Sequence, residues 1–246
     1  MLHLDPHSLP AQALSAQGLA VLPAQSLAAQ LELPADWPLD FGQLLPAWER
    51  LPPDAHLRDG GRYRRRRHSC YVHTLSSDAM ALQPHRAHWQ PTDYNALHGG
   101  FERWFEPIEA DMAQAPAWLA LMQSLGRLFA KVRPAPQWFI EAHAFRIDTA
   151  GGVGRPTPEG AHRDGVDFVV VMLLGRQGVK GGESRVFEAD GPHGLRFEMN
   201  EPLTTVLLDD ARVVHETTPI QPQGSDLGHR DTLVLTYRAA GFQAPA

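Results

Sequence analysis

The residues best suited to chemistry are His162 and Asp164, in the stretch GRPTPEGAHRDGVDFV, followed 215 − 162 = 53 residues later by His215 in RVVHETTP. Two imidazoles and one carboxylate are the donor set of a mononuclear iron(II) centre of the facial type, which leaves the other positions open for a cosubstrate and oxygen. At a strand edge, residues i and i+2 project to the same side, so His162 and Asp164 can share one metal and the third ligand must come from another strand. The pattern His-x-Asp recurs at His3 and Asp5 and at His229 and Asp231, so by itself it carries little weight in a chain with 13 histidines. Context separates the copies: no histidine follows His229, and His3 sits in a terminus. Neither His-Arg-Asp copy has the downstream asparagine of a kinase catalytic loop, since Val169 and Thr236 stand there.

Arg230 lies 230 − 215 = 15 residues beyond His215 and opens the run DTLVLTY, with Thr232 two residues on and therefore on the same strand face. A guanidinium fork binds a carboxylate bidentately and a neighbouring hydroxyl adds a hydrogen bond. The far carboxylate of 2-oxoglutarate needs such a pair.

The elements that must position these residues are short strands. QWFIEAHAFRID, DFVVVMLLG, GESRVFEA, GLRFEM, TTVLLDD, RVVHETTPI and DTLVLTYRA follow one another with Gly-rich or Pro-rich turns between them and no intervening helical period. That spacing predicts an antiparallel sandwich or barrel of the jelly-roll kind. Upstream, RYRRRRHSCYVHTL reads as a strand, and PIEADMAQAPAWLALMQSLGRLFAKVRP as one long helix interrupted near Pro116. ALSAQGLAVL and AQSLAAQLEL read as short amphipathic helices cut by prolines. We therefore expect one domain over 1–246, with residues 1–60 a helical lead-in and 137–240 the metal-binding core.

GRPTPEGAHRDGVDFV, GGESRVF, HETTPIQP and HRDTLVLTYR, together with RYRRRRH and YNALHGGFERWFEP upstream, resemble the motifs of a bacterial family of iron(II)- and 2-oxoglutarate-dependent dioxygenases. That family includes hydroxylases of free L-isoleucine and L-leucine. The resemblance runs from Arg62 to Arg238 and implies a mainly β fold with flanking helices, the double-stranded β-helix or cupin-like jelly-roll barrel. It implies that His162, Asp164 and His215 ligate Fe(II), that Arg230 and Thr232 hold 2-oxoglutarate, and that O2 is the oxidant. The expected reaction hydroxylates a C–H bond of a small molecule, most plainly a free aliphatic L-amino acid. Two alternatives stay open: the same chemistry on a protein side chain or nucleobase, and a cupin-like protein that binds metal or ligand without turnover.

A free amino acid brings two charges into a dry pocket, and each needs a partner. Glu159, three residues before His162, is our expectation for the ammonium, and Arg146, on the strand leading to the metal loop, for the carboxylate. The run Arg64 to Arg67 alternates between two strand faces, which splits it as a phosphate stripe and favours ion pairs. Gly99 and Gly100 serve as a turn or close a loop over the pocket; His143, Cys70, Asp209 and Asp210 read as packing or turn residues.

A net charge of −6 argues against general attraction to nucleic acid. One cysteine excludes an intrachain disulfide and fits a reducing, cytoplasmic address. The start MLHLDPHSLP lacks the pattern of a signal peptide, and no apolar run is long enough to span a membrane. Oligomeric state is not legible.

Overall fold

In the computed structural model, which describes residues 2–5, 8–95 and 97–245, the chain begins with helix α1 (Pro10–Gln17), strand β1 (Leu19–Leu22), and helices α2 (Ala24–Gln30) and α3 (Trp37–Gly42). A 3-10 turn at Leu45–Arg50 leads to β2 (Arg64–Thr74), β3 (Ala79–Leu82), α4 (Ala110–Ala113) and α5 (Pro116–Val132). The remainder is β4 (Gln137–Asp148), β5 (Phe168–Gln177), β6 (Val179–Gly181), β7 (Ser184–Glu188), β8 (Gly194–Phe197), β9 (Thr205–Asp209), β10 (Val213–Thr217), β11 (Ile220–Pro222) and β12 (His229–Arg238). The strands form a seven-stranded antiparallel sheet in the order β1-β9-β5-β12-β4-β2-β3, a three-stranded sheet β10-β7-β8 and a two-stranded pair β11-β6. This is the jelly-roll architecture expected from the strand spacing.

The large sheet has one face for packing and one for chemistry, because alternate residues of each strand point to opposite sides. From β4 and β12, Trp138, Ile140, Ala142, Leu233, Leu235 and Tyr237 join one apolar cluster with Trp118, Leu121, Met122, Leu125 and Phe129 of α5. Phe129 stacks on Phe168 of β5 with centroids 4.4 Å apart, and the Tyr237 hydroxyl donates to the Met122 carbonyl at 2.9 Å. Gly126 lets α5 approach the sheet, since a Cβ there would stand 2.2 Å from His73 Nδ1. The other residues of the same strands, among them Phe145 and Ile147 of β4 and Arg230, Thr232, Val234 and Thr236 of β12, line a cavity on the opposite face.

One reading of the amino-terminal segment is corrected. LAVL, expected to continue a helix, is β1, paired with β9 through Leu19 to Leu208 and Leu22 to Thr205. Gly18 takes a left-handed φ of 75° and ends α1, so the chain turns there and its next apolar residues pair with the sheet edge. The helix expected over 107–134 divides into α4 and α5, with the break just before Pro116.

Candidate metal centre and its cavity

His162, in the loop between β4 and β5, and His215, on β10, meet through their main chains: each N–H donates to the other's carbonyl at 3.0 Å. Their rings stand 4.6 Å apart. The His162 Nδ1–H donates to the Gly160 carbonyl at 2.9 Å, which leaves Nε2 as the nitrogen turned toward the carboxylate. Asp164 completes the set, with Oδ1 3.9 Å from His162 Nε2 and Oδ2 3.8 Å from His215 Nε2. One donor atom from each residue falls within 4.8 Å of the others, and the His215 Nδ1 has no hydrogen-bond partner among the described residues. Two imidazoles and one carboxylate gathered this closely are a donor set suited to a divalent metal.

Two side chains fix the carboxylate. Gln90 Nε2 donates to Asp164 Oδ1 at 3.0 Å, and the Asp210 carboxylate accepts the backbone N–H groups of Asp164, Gly165 and Val166 at 2.9, 2.8 and 3.1 Å. Asp210, expected only as a turn residue, is thus the clamp of the metal loop. Burial and the neighbouring Asp164 charge push its carboxyl up to about 7. The two histidines titrate apart. Burial works to lower His162, but the charges of Asp164 and Glu159 outweigh it and the net shift is upward. Burial, and then the nearby His162, bring His215 down to about 4.

The cavity beside this set has a volume of about 120 Å³. Arg230 and Thr232 lie on its wall, as their strand parity requires. Arg230 is 3% exposed, and its Nε and Nη2 have no partner among the described residues. Burial, with Arg176 nearby, lowers its guanidinium to about 10. A carboxylate-bearing ligand would satisfy both nitrogens. Glu159 also lines the cavity, with Oε1 3.6 Å from His162 Nε2 and Oε2 buried and unpartnered among the described residues.

Arg146 is elsewhere, and the expectation that it meets a substrate carboxylate is corrected. It belongs to the opposite face of β4 from Phe145 and Ile147. Its Nε and Nη2 bind Asp231 at 2.7 Å each, and its Nη1 and Nη2 bind Glu49, also at 2.7 Å. This pairing also consumes the carboxylates of a third group close enough for a metal, Glu49, His229 and Asp231.

Three cavity arginines were not foreseen as such: Arg64, Arg66 and Arg103. The expected split of the arginine run is present, with Arg65 near Asp148 at 3.6 Å and Arg67 on Glu106 at 2.9 Å outside the cavity. Arg64 and Arg66 point inward, where Asp54 Oδ2 lies 2.7 Å from Arg64 Nε and 4.0 Å from Arg66 Nη1. Arg66 is stacked 3.7 Å over Phe105 and 4.4 Å from the Phe145 centroid. Alternation in RYRRRR shows that two arginines share a face; no such period marks Gln90 or Arg103, which come from the loop between β3 and α4. Gly99 and Gly100 are turn residues of that loop, the Gly99 N–H donating to the Asn95 carbonyl at 2.7 Å and the Gly100 N–H to the Gln90 carbonyl at 2.8 Å.

A second group able to hold a metal, and missed in the sequence, is His68, His88, Glu141 and His143, all buried. Its three imidazoles close around the Glu141 carboxylate. His68 Nε2 lies 3.2 Å, and His143 Nε2 3.6 Å, from Glu141 Oε2, which also takes a short hydrogen bond from His88 Nδ1. Arg66 Nη2 donates to His143 Nδ1 at 2.6 Å, so the neutral ring carries its proton on the nitrogen facing Glu141. Burial holds all three imidazoles below their ordinary pKa, while the surrounding histidines outweigh burial to keep Glu141 ionised.

The model of the 2OG-Fe dioxygenase family matches residues 45–236. No curated protein matches the chain. Among solved structures, a bsmA homolog from Methylobium petroleophilum PM1 is 55% identical, with a TM-score of 0.93 and all of both chains covered. IDO from Bacillus thuringiensis is 17% identical, with a TM-score of 0.76 over 97% of this chain and 99% of that one. The Fe(II)/(alpha)ketoglutarate-dependent dioxygenase TqaL is 18% identical, with a TM-score of 0.71 over 93% and 85%. The last two likenesses establish a shared fold. Among the described residues, no helix is long and apolar enough to cross a membrane.

Proposed function

The chain belongs to the 2OG-Fe dioxygenase family, and from that premise we propose that His162, Asp164 and His215 hold the iron, that Arg230 and Thr232 hold the far carboxylate of 2-oxoglutarate, and that the substrate is a free aliphatic L-amino acid. The protein is an enzyme, an Fe(II)- and 2-oxoglutarate-dependent dioxygenase that consumes O2. Bound iron supplies the chemistry, coupling oxidative decarboxylation of 2-oxoglutarate to insertion of an oxygen atom into a C–H bond.

The observation that carries the reading is a buried, unneutralised guanidinium, Arg230, in one cavity with a three-residue donor set that leaves its remaining face toward that cavity. The group around Glu141 offers four donors already bound to one another and a guanidinium alongside, which disfavours a further cation. We therefore place iron in the triad. Gln90 and Asp210 hold Asp164 in register for it, and the Gly160 carbonyl orients His162. Phe145, Ile147, Val171 and Val234 give the cavity an apolar lining that limits water around the reacting C–H bond. Glu159 Oε2, buried without a donor among the described residues, favours a substrate bearing an ammonium group. Membership of the isoleucine and leucine hydroxylase subgroup, suggested by the motifs, agrees with that polarity.

The test is mass spectrometry for a gain of one oxygen atom in each of the twenty amino acids with Fe(II), 2-oxoglutarate and ascorbate, alongside succinate release. Hydroxylation of an aliphatic amino acid is the expected result. Succinate release stimulated only by peptides or oligonucleotides would overturn the amino-acid reading.

A further inference from the structure

Four arginines are buried in this protein among the described residues: Arg64, Arg66, Arg103 and Arg230. All four line the same cavity. Asp54 lies within 4.0 Å of Arg64 and Arg66, whereas no carboxylate among the described residues comes that close to Arg103 or Arg230. A guanidinium taken out of water without a counter-charge is costly, and the cost is offset when a ligand brings the missing anion. The cavity thus has two such positions, and a 2-oxoglutarate bound through Arg230 would neutralise one of them.

The second position cannot serve the same carboxylate. Register places Arg64 opposite Ile147, and Ile147 opposite Arg230, so Arg64 and Arg230 stand two strands apart, about 10 Å at the usual strand spacing. Ile147 and Phe145 lie between these two sides of the cavity floor. Arg103 belongs with Arg64: burial, and then the nearby Arg64 charge, lower its guanidinium to about 10, and Arg103 Nε and Arg64 Nη2 are both buried without a partner among the described residues. Arg103 is also coupled to the metal loop, since its Nη2 donates to Gln90 Oε1 at 2.8 Å and Gln90 Nε2 donates to Asp164 Oδ1 at 3.0 Å. A ligand held by Arg103 is therefore placed beside the His162, Asp164 and His215 set.

We propose that Arg103, assisted by Arg64, anchors the carboxylate of the substrate, while Glu159 takes its ammonium. This deepens the amino-acid reading and rests on it. The two poles suit an α-amino acid, because a buried acceptor at Glu159 and buried donors at Arg103 and Arg64, all unsatisfied among the described residues, line one cavity. Arg66 is a positioning residue in this arrangement, with one nitrogen on His143 and its plane against Phe105.

The experiment titrates the anaerobic Fe(II)- and 2-oxoglutarate-loaded enzyme by calorimetry with L-leucine, with 4-methylpentanoate, which lacks the amine, and with 3-methylbutylamine, which lacks the carboxylate. Arg103→Gln is expected to weaken leucine and 4-methylpentanoate by about ten- to a hundredfold and to leave 3-methylbutylamine unchanged. Glu159→Gln is expected to weaken leucine and 3-methylbutylamine and to spare 4-methylpentanoate. A merely structural role for Arg103 would weaken all three alike and would overturn the proposal. If Arg103→Gln does not fold, Arg103→Lys replaces it, with the same discrimination between acids and amine expected. Undiminished leucine binding by the Arg103 variant overturns the anchor and leaves the amino-acid reading standing. Wild-type binding of 4-methylpentanoate without leucine ends the amino-acid reading and supports the anchor; binding of neither acid overturns both.

Discussion

His162 and His215 are joined by a reciprocal pair of backbone hydrogen bonds, each 3.0 Å long, and their side chains play no part in that bridge. The main chain therefore sets the distance between the two imidazoles, and either ring can be removed without opening the contact. His215→Ala is expected to fold, with a melting temperature within a few degrees of wild type, and to lose the visible charge-transfer band of the anaerobic iron and 2-oxoglutarate complex. An undiminished band would show that the iron is held elsewhere, with the group around Glu141 as the next site to examine.

Arg230→Ala separates cosubstrate from metal. Removing a charge-assisted bidentate contact costs roughly 1.5–3 kcal/mol, or about ten- to a hundredfold in affinity. The 2-oxoglutarate requirement should rise by that factor in a succinate-release assay while ferrous binding is retained, and Thr232→Val should act in the same direction more weakly.

Asp210→Ala leaves three backbone N–H groups of the metal loop without their acceptor. We expect a stability loss of about 2–3 kcal/mol in urea unfolding, together with weaker iron binding in a titration, because the loop that presents Asp164 is no longer held. Unchanged iron affinity would mean that Gln90 alone positions Asp164.

Arg146→Ala should behave as a stability variant. It strips the guanidinium from Asp231, whose side chain is only 9% exposed, and a broken buried pair costs about 3 kcal/mol. Denaturant midpoints should fall while the KM for the hydroxylated substrate stays constant.

Asp54 supplies a pH dependence. Burial raises its carboxyl, but Arg64 and Arg66 outweigh burial and its folded-state pKa lies below the ordinary 3.8. A depressed pKa contributes stability that is fully present above the unfolded value and is lost as pH falls through the folded one. Unfolding midpoints of wild type and Asp54→Asn should therefore differ at pH 6 and converge as the pH is lowered below about 4. A difference that stays constant down to pH 2.5 would show that the Asp54 charge does not hold the arginine wall.

The order His162, Asp164, His215, Arg230 was readable in the sequence because each residue sits at a definite parity in or beside a strand, and parity is local. The spacing of short strands likewise announced the jelly roll, since sandwiches are built from elements of that length. Parity, however, is only relative. QWFIEAHAFRID shows that Arg146 and Phe145 face opposite ways, and RYRRRR that Arg64 and Arg66 face the same way, without saying which side is the cavity. The packing of α5 decides that: its apolar stripe covers the Ile140, Leu235 and Tyr237 face, which leaves Phe145, Arg64 and Arg66 to the cavity and sends Arg146 to Asp231 and Glu49. Gln90, Arg103, Asp210 and the four residues around Glu141 were beyond local reading for a different reason. They act through partners up to 77 residues away in the chain, as Asp210 does with Asp164 and His143 with Arg66, and only the folded chain brings those partners within hydrogen-bond reach.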